Sequence, residues 1–131
     1  MSSETDVLAT FDGLYAAACE ARDADAMVGL FVSDDDLSWW GSGQSEQFVG
    51  PDKLRVFADE ITRYEGSLRF VWHQRQVRIE GDTAWVNALG QLEVETAASR
   101  RKVPYRVTAV MLRRGGRWLW HTYHGSEPVS E

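Results

Sequence analysis

The stretch from Tyr105 to Ser126 constrains the fold more than any other part of the chain. Tyr105 to Leu112 alternates in character, Arg113-Arg114-Gly115-Gly116-Arg117 follows, and Trp118 to Ser126 returns. Two strand-like segments around a Gly-Gly pair are the local signature of an antiparallel hairpin. Strict alternation along the returning strand puts Trp118, Trp120, Thr122 and His124 on one face and Leu119, His121 and Tyr123 on the other. Neither face is plainly polar. One is therefore expected to meet the chain's own helices, and the other, carrying Trp118 and Trp120 with Val110 and Leu112, a second subunit.

The strand reading extends upstream. Leu68 to Ile79 and Thr83 to Thr96 are strand-like around the turn Glu80-Gly81-Asp82, and a polar turn from Ala98 to Lys102 leads into the hairpin. Ahead of this meander the apolar period lengthens. Leu8, Phe11, Tyr15, Ala18 and Cys19 recur at helical spacing over Thr5 to Arg22, which predicts a first amphipathic helix. Asp23 or Asp25 can cap a short second helix carrying Met27, Leu30 and Phe31, ended by Ser33-Asp34-Asp35-Asp36. Leu37 to Trp40 reads as a strand entering a Gly-Ser-Gly loop. Gly50-Pro51 opens a third helix with Leu54, Phe57, Ala58, Ile61 and Tyr64 on one side, and Gly66 stops it. The class is α+β: three helices in the N-terminal half packed on one side of a strongly curved antiparallel sheet. Residues 1–131 make one domain, with 127–131 a loose tail.

Charge and cysteine use narrow the function. A net charge of -6 offers no basic field to capture phosphates, so nucleic acid is not an expected partner. Arg100-Arg101-Lys102 and Arg113-Arg114 sit in turns, as solvated charge does. No apolar run nears membrane-spanning length, and the first residues carry neither a basic cap nor an apolar signal core; the expectation is a cytoplasmic protein without membrane contact. Cys19, the one cysteine, has no internal partner and reads as packed helix. With no Gly-rich phosphate loop, nucleotide motif or Ser-His-Asp signature, no cofactor is expected. Asp34, Asp35 and Asp36 are adjacent carboxylates that cannot all converge on one ion, and no histidine lies near them in sequence. No metal is expected.

A set of anchors then comes into view: Leu14-Tyr15-Ala-Ala-Ala with Asp23-Ala-Asp25, Gly29-Leu-Phe31, Phe48-Val-Gly50, Gly81-Asp-Thr-Ala84, Arg106-Val-Thr108, and Gly116-Arg-Trp118 followed by His124-Gly-Ser126. In this order the chain resembles the nuclear transport factor 2-like superfamily, and within it the SnoaL-like group related to ketosteroid isomerase and polyketide cyclases. The resemblance implies a cone whose sheet wraps a pocket closed by the first and third helices, and a homodimer through the outer sheet face. This fold hosts isomerases, cyclases, hydratases and hydrolases as well as non-catalytic oligomerisation modules. Ketosteroid isomerase chemistry needs a carboxylate base, a tyrosine and a protonated aspartate. Tyr15 falls at the tyrosine position, but the base would align near Trp39 or Trp40 and the aspartate near Ala109. That particular chemistry is disfavoured.

The remaining candidates are read from faces. His121 shares a face with Leu119 and Tyr123, which by resemblance looks into the cavity, and its imidazole suits proton transfer near neutrality; His121 and Tyr15 are the candidate catalytic pair. On Thr83 to Thr96, alternation separates Trp85, Asn87, Leu89 and Gln91 from Ala84, Val86, Ala88 and Gly90 without saying which set is inside. The resemblance at Gly81-Asp-Thr-Ala84 puts the Trp85 set inside. Phe11, Trp39, Phe57, Trp85, Asn87, Leu89, Gln91, Met111 and Tyr123 are accordingly the expected ligand-binding residues. Arg106 is expected to face away and pair with Glu93 or Glu95. The reading is a cofactor-free homodimer that binds a small apolar organic molecule, either as an isomerase, cyclase or dehydratase or as a non-catalytic binding or oligomerisation module.

Overall fold

Ser3 starts the first helix because its hydroxyl accepts from the Asp6 N–H while the Asp6 carboxylate accepts from the Ser3 N–H, a reciprocal capping box. The computed structural model describes residues 3–130; Met1, Ser2 and Glu131, which the single-domain and tail readings included, lie outside the described residues. Helix α1 (Glu4–Tyr15) runs on into a wider π-helical turn, Ala16–Ala21, which ends at Arg22 in the left-handed region with φ 53°. A non-glycine residue there is unfavourable by about 1–2 kcal/mol. Its guanidinium donates to the carbonyls of Tyr64 and Gly66, which holds the turn in place. Asp23 then caps α2 (Ala24–Gly29) by accepting from the Ala26 N–H at 3.0 Å. Helix α3 (Pro51–Thr62) has proline in its first turn and ends before Gly66, one turn short of the sequence reading.

Six strands form one sheet: β1 (Ser38–Trp40), β2 (Gln47–Val49), β3 (Ser67–Glu80), β4 (Thr83–Glu95), β5 (Arg100–Arg114) and β6 (Arg117–Ser126), in the order β2-β1-β6-β5-β4-β3. All neighbours are antiparallel except β1 and β6, which run parallel. Strand β2 is too short to announce itself in sequence. The β5–β6 hairpin turns at Gly115 and Gly116, with φ 57° and 76°, the two positive angles that a tight right-twisted hairpin requires. Residues 127–130 carry no helix or strand. Among the described residues no helix is long and apolar enough to cross a membrane.

Two bulges set the curvature. Register shifts between Trp72 and Gln74 on β3, leaving His73 as the extra residue, and between Val110 and Met111 on β5, where His121 is the extra residue on β6. At the first bulge the Val71 carbonyl presses on β4 so closely that a Cβ on Gly90 would lie 1.9 Å from it, so only glycine fits. At the second, the bulge reverses the phase of β6. Trp118 and Trp120 point inward, and so do Tyr123 and Gly125 beyond it.

This corrects the hairpin reading. Trp118 is 4% exposed and Trp120 fully buried, both under α1: the Trp120 indole N–H donates to the Thr10 carbonyl, and the Phe11 ring stacks on Trp120 at 5.3 Å. They cannot belong to an outer face. The strand β4 assignment reverses as well, since Ala84, Val86 and Ala88 are buried and Trp85, Asn87 and Leu89 exposed. Large rings from α1, β3 and β6, namely Phe11, Trp72 and Trp120, fill the space over the sheet, which leaves room for only small side chains on β4.

Candidate functional site

The inner face of the sheet carries a cross-strand row that begins Phe48, Trp39, Tyr123, Ala109. Phe48 is opposite Trp39 on β1 and β2, Trp39 is in register with Tyr123 through the parallel β1–β6 pairing, and Tyr123 is opposite Ala109. Trp39 therefore lies flat on Tyr123, ring centroids 3.6 Å apart and planes within 4°. Phe57 of α3 packs on Trp39 at 4.5 Å and on Phe48 at 4.8 Å. Beyond this stack the interior is not filled. A cavity of about 600 Å³, open to solvent on one side, lies among α3, the β1–β2 loop and the inner face.

Its walls come from every part of the fold. Helix α3 and the residues after it supply Phe57, Glu60, Ile61 and Tyr64, and the β1–β2 region supplies Trp39, Ser42, Ser45, Glu46 and Phe48. The sheet adds Leu68, Phe70, Leu92, Val94, Arg101, Tyr105 and Tyr123, and Glu127 stands at the rim. Aromatic and aliphatic side chains supply most of this lining, with a few polar and charged groups among them.

Three tyrosine hydroxyls meet at the floor. Tyr123 is 1% exposed and Tyr105 4% exposed, and Tyr15, carried on α1 where it packs on Phe70 at 4.7 Å, has its hydroxyl buried behind them. Burial pushes Tyr15 well above the ordinary phenol range, although the Tyr123 hydroxyl beside it pulls the other way. Tyr15 Oη lies within Tyr123's influence yet makes no hydrogen bond of good geometry; it is one of three buried polar atoms without a partner among the described residues, with Trp39 Nε1 and Trp118 Nε1. Burial, and then the neighbouring tyrosines, push Tyr123 well up too. Tyr105 is raised first by burial, against hydrogen bonding from Ser42 and Tyr123, and further by the negative charges of Glu46 and Glu127. All three remain neutral phenols at neutral pH, so they donate protons in hydrogen bonds and do not serve as bases.

Glu46 is held by its own loop. The Gly41 N–H donates to the Glu46 carbonyl at 2.8 Å, the Glu46 N–H donates to the Gly43 carbonyl at 3.1 Å, and the carboxylate folds back over both glycines. A Cβ at Gly41 would lie 2.0 Å from Glu46 Oε2, and one at Gly43 2.4 Å from Oε1. The Gly-Ser-Gly sequence thus makes the seat in which this carboxylate rests, and its negative charge is felt at the Tyr105 hydroxyl.

Of the residues expected from sequence, Trp39, Phe57 and Tyr123 line the cavity, and Tyr15 stands behind its floor. Phe11 and Met111 are fully buried in the core and do not line it. Trp85, Asn87, Leu89 and Gln91 are on the opposite face of the sheet, where Thr108 donates to Asn87 at 2.9 Å and Gln91 to Glu93 at 2.9 Å. His121 is also outside, turned out by the β6 bulge. Its Nε2 lies 3.0 Å from Asp36 Oδ1 and its Nδ1 2.7 Å from Thr122 Oγ1. The histidine absent from the neighbourhood of the acidic run in sequence is supplied by the fold. Ligand atoms of Asp34, Asp36 and His121 all lie within 4.8 Å of one another, but Arg114 already binds both carboxylate oxygens of Asp34 and supplies the positive charge there. Burial pushes the Cys19 thiol up to about 11, in keeping with packed helix. Arg106 faces outward opposite Leu89 but pairs with neither Glu93 nor Glu95, which are bound by Arg69, Lys102 and Arg100.

The sequence reading missed Tyr105, Phe70 and Glu46. The first two were within reach, since alternation backward from Ala109 puts Tyr105 on the inner face and the Leu68, Phe70, Trp72 series repeats with the same period. Glu46 lies in a loop, where no period reports direction.

Three helices on one side of a curved six-stranded sheet, with a cavity between them, define an α+β protein of the nuclear transport factor 2-like class. The chain belongs to the SnoaL-like domain family, whose model matches residues 7–130. It is similar in structure to a proposed dehydratase of the NTF2-like family from Streptomyces avermitilis (TM-score 0.86, 18% identity, 96% of each chain covered). It also resembles a proposed calcium/calmodulin-dependent protein kinase II association domain from Xanthomonas campestris (0.83, 19%, 100% of this chain and 91% of that one). A third likeness is to a proposed scytalone dehydratase from Novosphingobium aromaticivorans (0.77, 12%, 95% and 83%). At these identities the likeness is one of fold. No curated protein sequence matches the chain.

Proposed function

We propose that the cavity binds a small, largely aromatic organic molecule and that the protein acts on it by acid/base chemistry of the isomerase, cyclase or dehydratase kind. The observation that carries this reading is the meeting of neutral tyrosine hydroxyls at the floor of an aromatic cavity with a seated carboxylate, Glu46, at its wall. Proton abstraction beside a carbonyl needs two things: a base, and donors for the negative charge that develops on oxygen. Glu46 is the base in this account. Tyr123 and Tyr105 are the donors, and Tyr15 backs Tyr123. Two of the neighbours in fold carry dehydratase names, which agrees with this class of chemistry without specifying a substrate.

The test is a turnover screen of aromatic ketones and β-hydroxy carbonyl compounds with the wild-type protein, Glu46→Gln and Tyr123→Phe. Removal of a general base should lower kcat by about 10²–10⁴-fold while leaving binding in place. Binding without turnover by the wild-type protein would favour the non-catalytic module, a reading supported by the likeness to a kinase association domain.

A further inference from the structure

We infer that the ligand of this cavity carries a positive charge, an amine or quaternary ammonium, on the end that faces the mouth. The inference rests on the reading of the cavity as a ligand site and adds the chemical class. Three carboxylates, Glu46, Glu60 and Glu127, line the cavity against one guanidinium, Arg101. None of the four forms an ion pair among the described residues, whereas nine pairs of Arg or Lys with Asp or Glu form elsewhere among them. Neither Arg63, next to Tyr64 in sequence, nor Arg22 lines the cavity, and the Arg22 guanidinium is committed to the carbonyls of Tyr64 and Gly66.

The charges and the rings share one cavity. Glu60, in the last turn of α3, and Tyr64, just past its end, both line it. Aromatic faces attract cations through their quadrupole, and carboxylates at the rim of a low-dielectric concavity concentrate cations from solution. A neutral apolar ligand would use the rings and leave the carboxylates idle. An anionic one would meet a net repulsion. A cation uses both, and its aromatic body occupies the stack of Trp39, Phe48 and Phe57.

Calorimetric titration with three naphthalene derivatives of one size separates these cases: naphthylmethylamine as the cation, naphthylmethanol as the neutral probe and naphthoate as the anion. The amine should bind about tenfold tighter than the alcohol at low salt, with naphthoate weakest and the gap closing as salt is added. Glu60→Gln with Glu127→Gln, both exposed positions, should erase the preference and leave the alcohol's affinity unchanged. Leu92→Trp, which fills the cavity, should remove binding of all three. An alcohol that binds as well as the amine would overturn the charge assignment while leaving the cavity reading standing. Amine binding that survives Leu92→Trp would place the cation elsewhere and overturn it too. Failure of every probe to bind the wild-type protein would overturn the cavity reading, and this inference with it.

Discussion

Single residues decide what this cavity can do, and the tyrosines make the point with pH. Each has a folded-state pKa above its unfolded value, so the folded state keeps its protons when the unfolded chain has begun to lose them. Their contribution to stability is whole below about pH 10 and falls as pH rises above it. Cys19, raised from 9.0 to about 11, acts in the same direction over that interval. Denaturant melts from pH 8 to 11 should show this loss, and Tyr123→Phe should flatten it; a melt independent of pH would contradict the burial of these hydroxyls. Gly41→Ala tests the seat of Glu46. The new methyl displaces the carboxylate, so turnover should fall as far as in Glu46→Gln, with little change in melting temperature because Gly41 is only partly buried and the loop beside it carries exposed Ser42, Gln44 and Ser45. A variant with full activity would show that the seat does not matter. At this scale the sequence was half legible. Trp39, Phe57 and Tyr123 could be read because each repeats with its element, whereas Glu46 could not, because its direction comes from glycines in a loop.

Elements carry the second lesson, which is that bulges defeat alternation. His121 was read as inward by counting from Tyr123, and Trp118 and Trp120 as outward by the same count. One extra residue on β6 reversed all three while leaving Tyr123 inside. Nothing in the local composition marks the insertion, since both sides of it are aromatic. Helix ends were clearer because capping groups are residue-specific: Pro51 was legible, and the cap of α2 was narrowed to Asp23 or Asp25, of which Asp23 is the one used. The π-helical turn was not, and it yields a prediction. Arg22 sits at φ 53° and its side chain ties the turn to the start of β3. Arg22→Ala should lose these bonds and keep the strain, costing about 1–2 kcal/mol, while Arg22→Gly relieves the strain and costs less. Urea titration gives the order. Alanine proving the milder change would mean that the left-handed turn is not a strained point of the fold.

The whole molecule presents an outer sheet face unlike the one expected, and we propose that it is still the dimer face. Trp85 and Leu89 are 36% and 43% exposed there, with Val110 opposite Trp85 and Leu112 opposite Leu119 on the adjoining strands. An apolar patch of this kind on an antiparallel sheet is unfavourable in water when left uncovered. Sedimentation should give a dimer at micromolar concentration, and Trp85→Arg with Val110→Lys should give a folded monomer. A wild-type monomer would contradict this.

The central claim is that neutral tyrosines at the cavity floor receive a negatively charged oxygen. 4-Nitro-1-naphthol, ionised at pH 8, presents an aromatic body with a phenolate oxygen, and its binding at that pH to the wild-type protein and to Tyr123→Phe, followed by calorimetry, tests this directly. A hydrogen bond to a charged group contributes about 1.5–3 kcal/mol, so the variant should bind about 10–100-fold more weakly. Equal affinity in the two proteins, or no binding to either, would contradict the account.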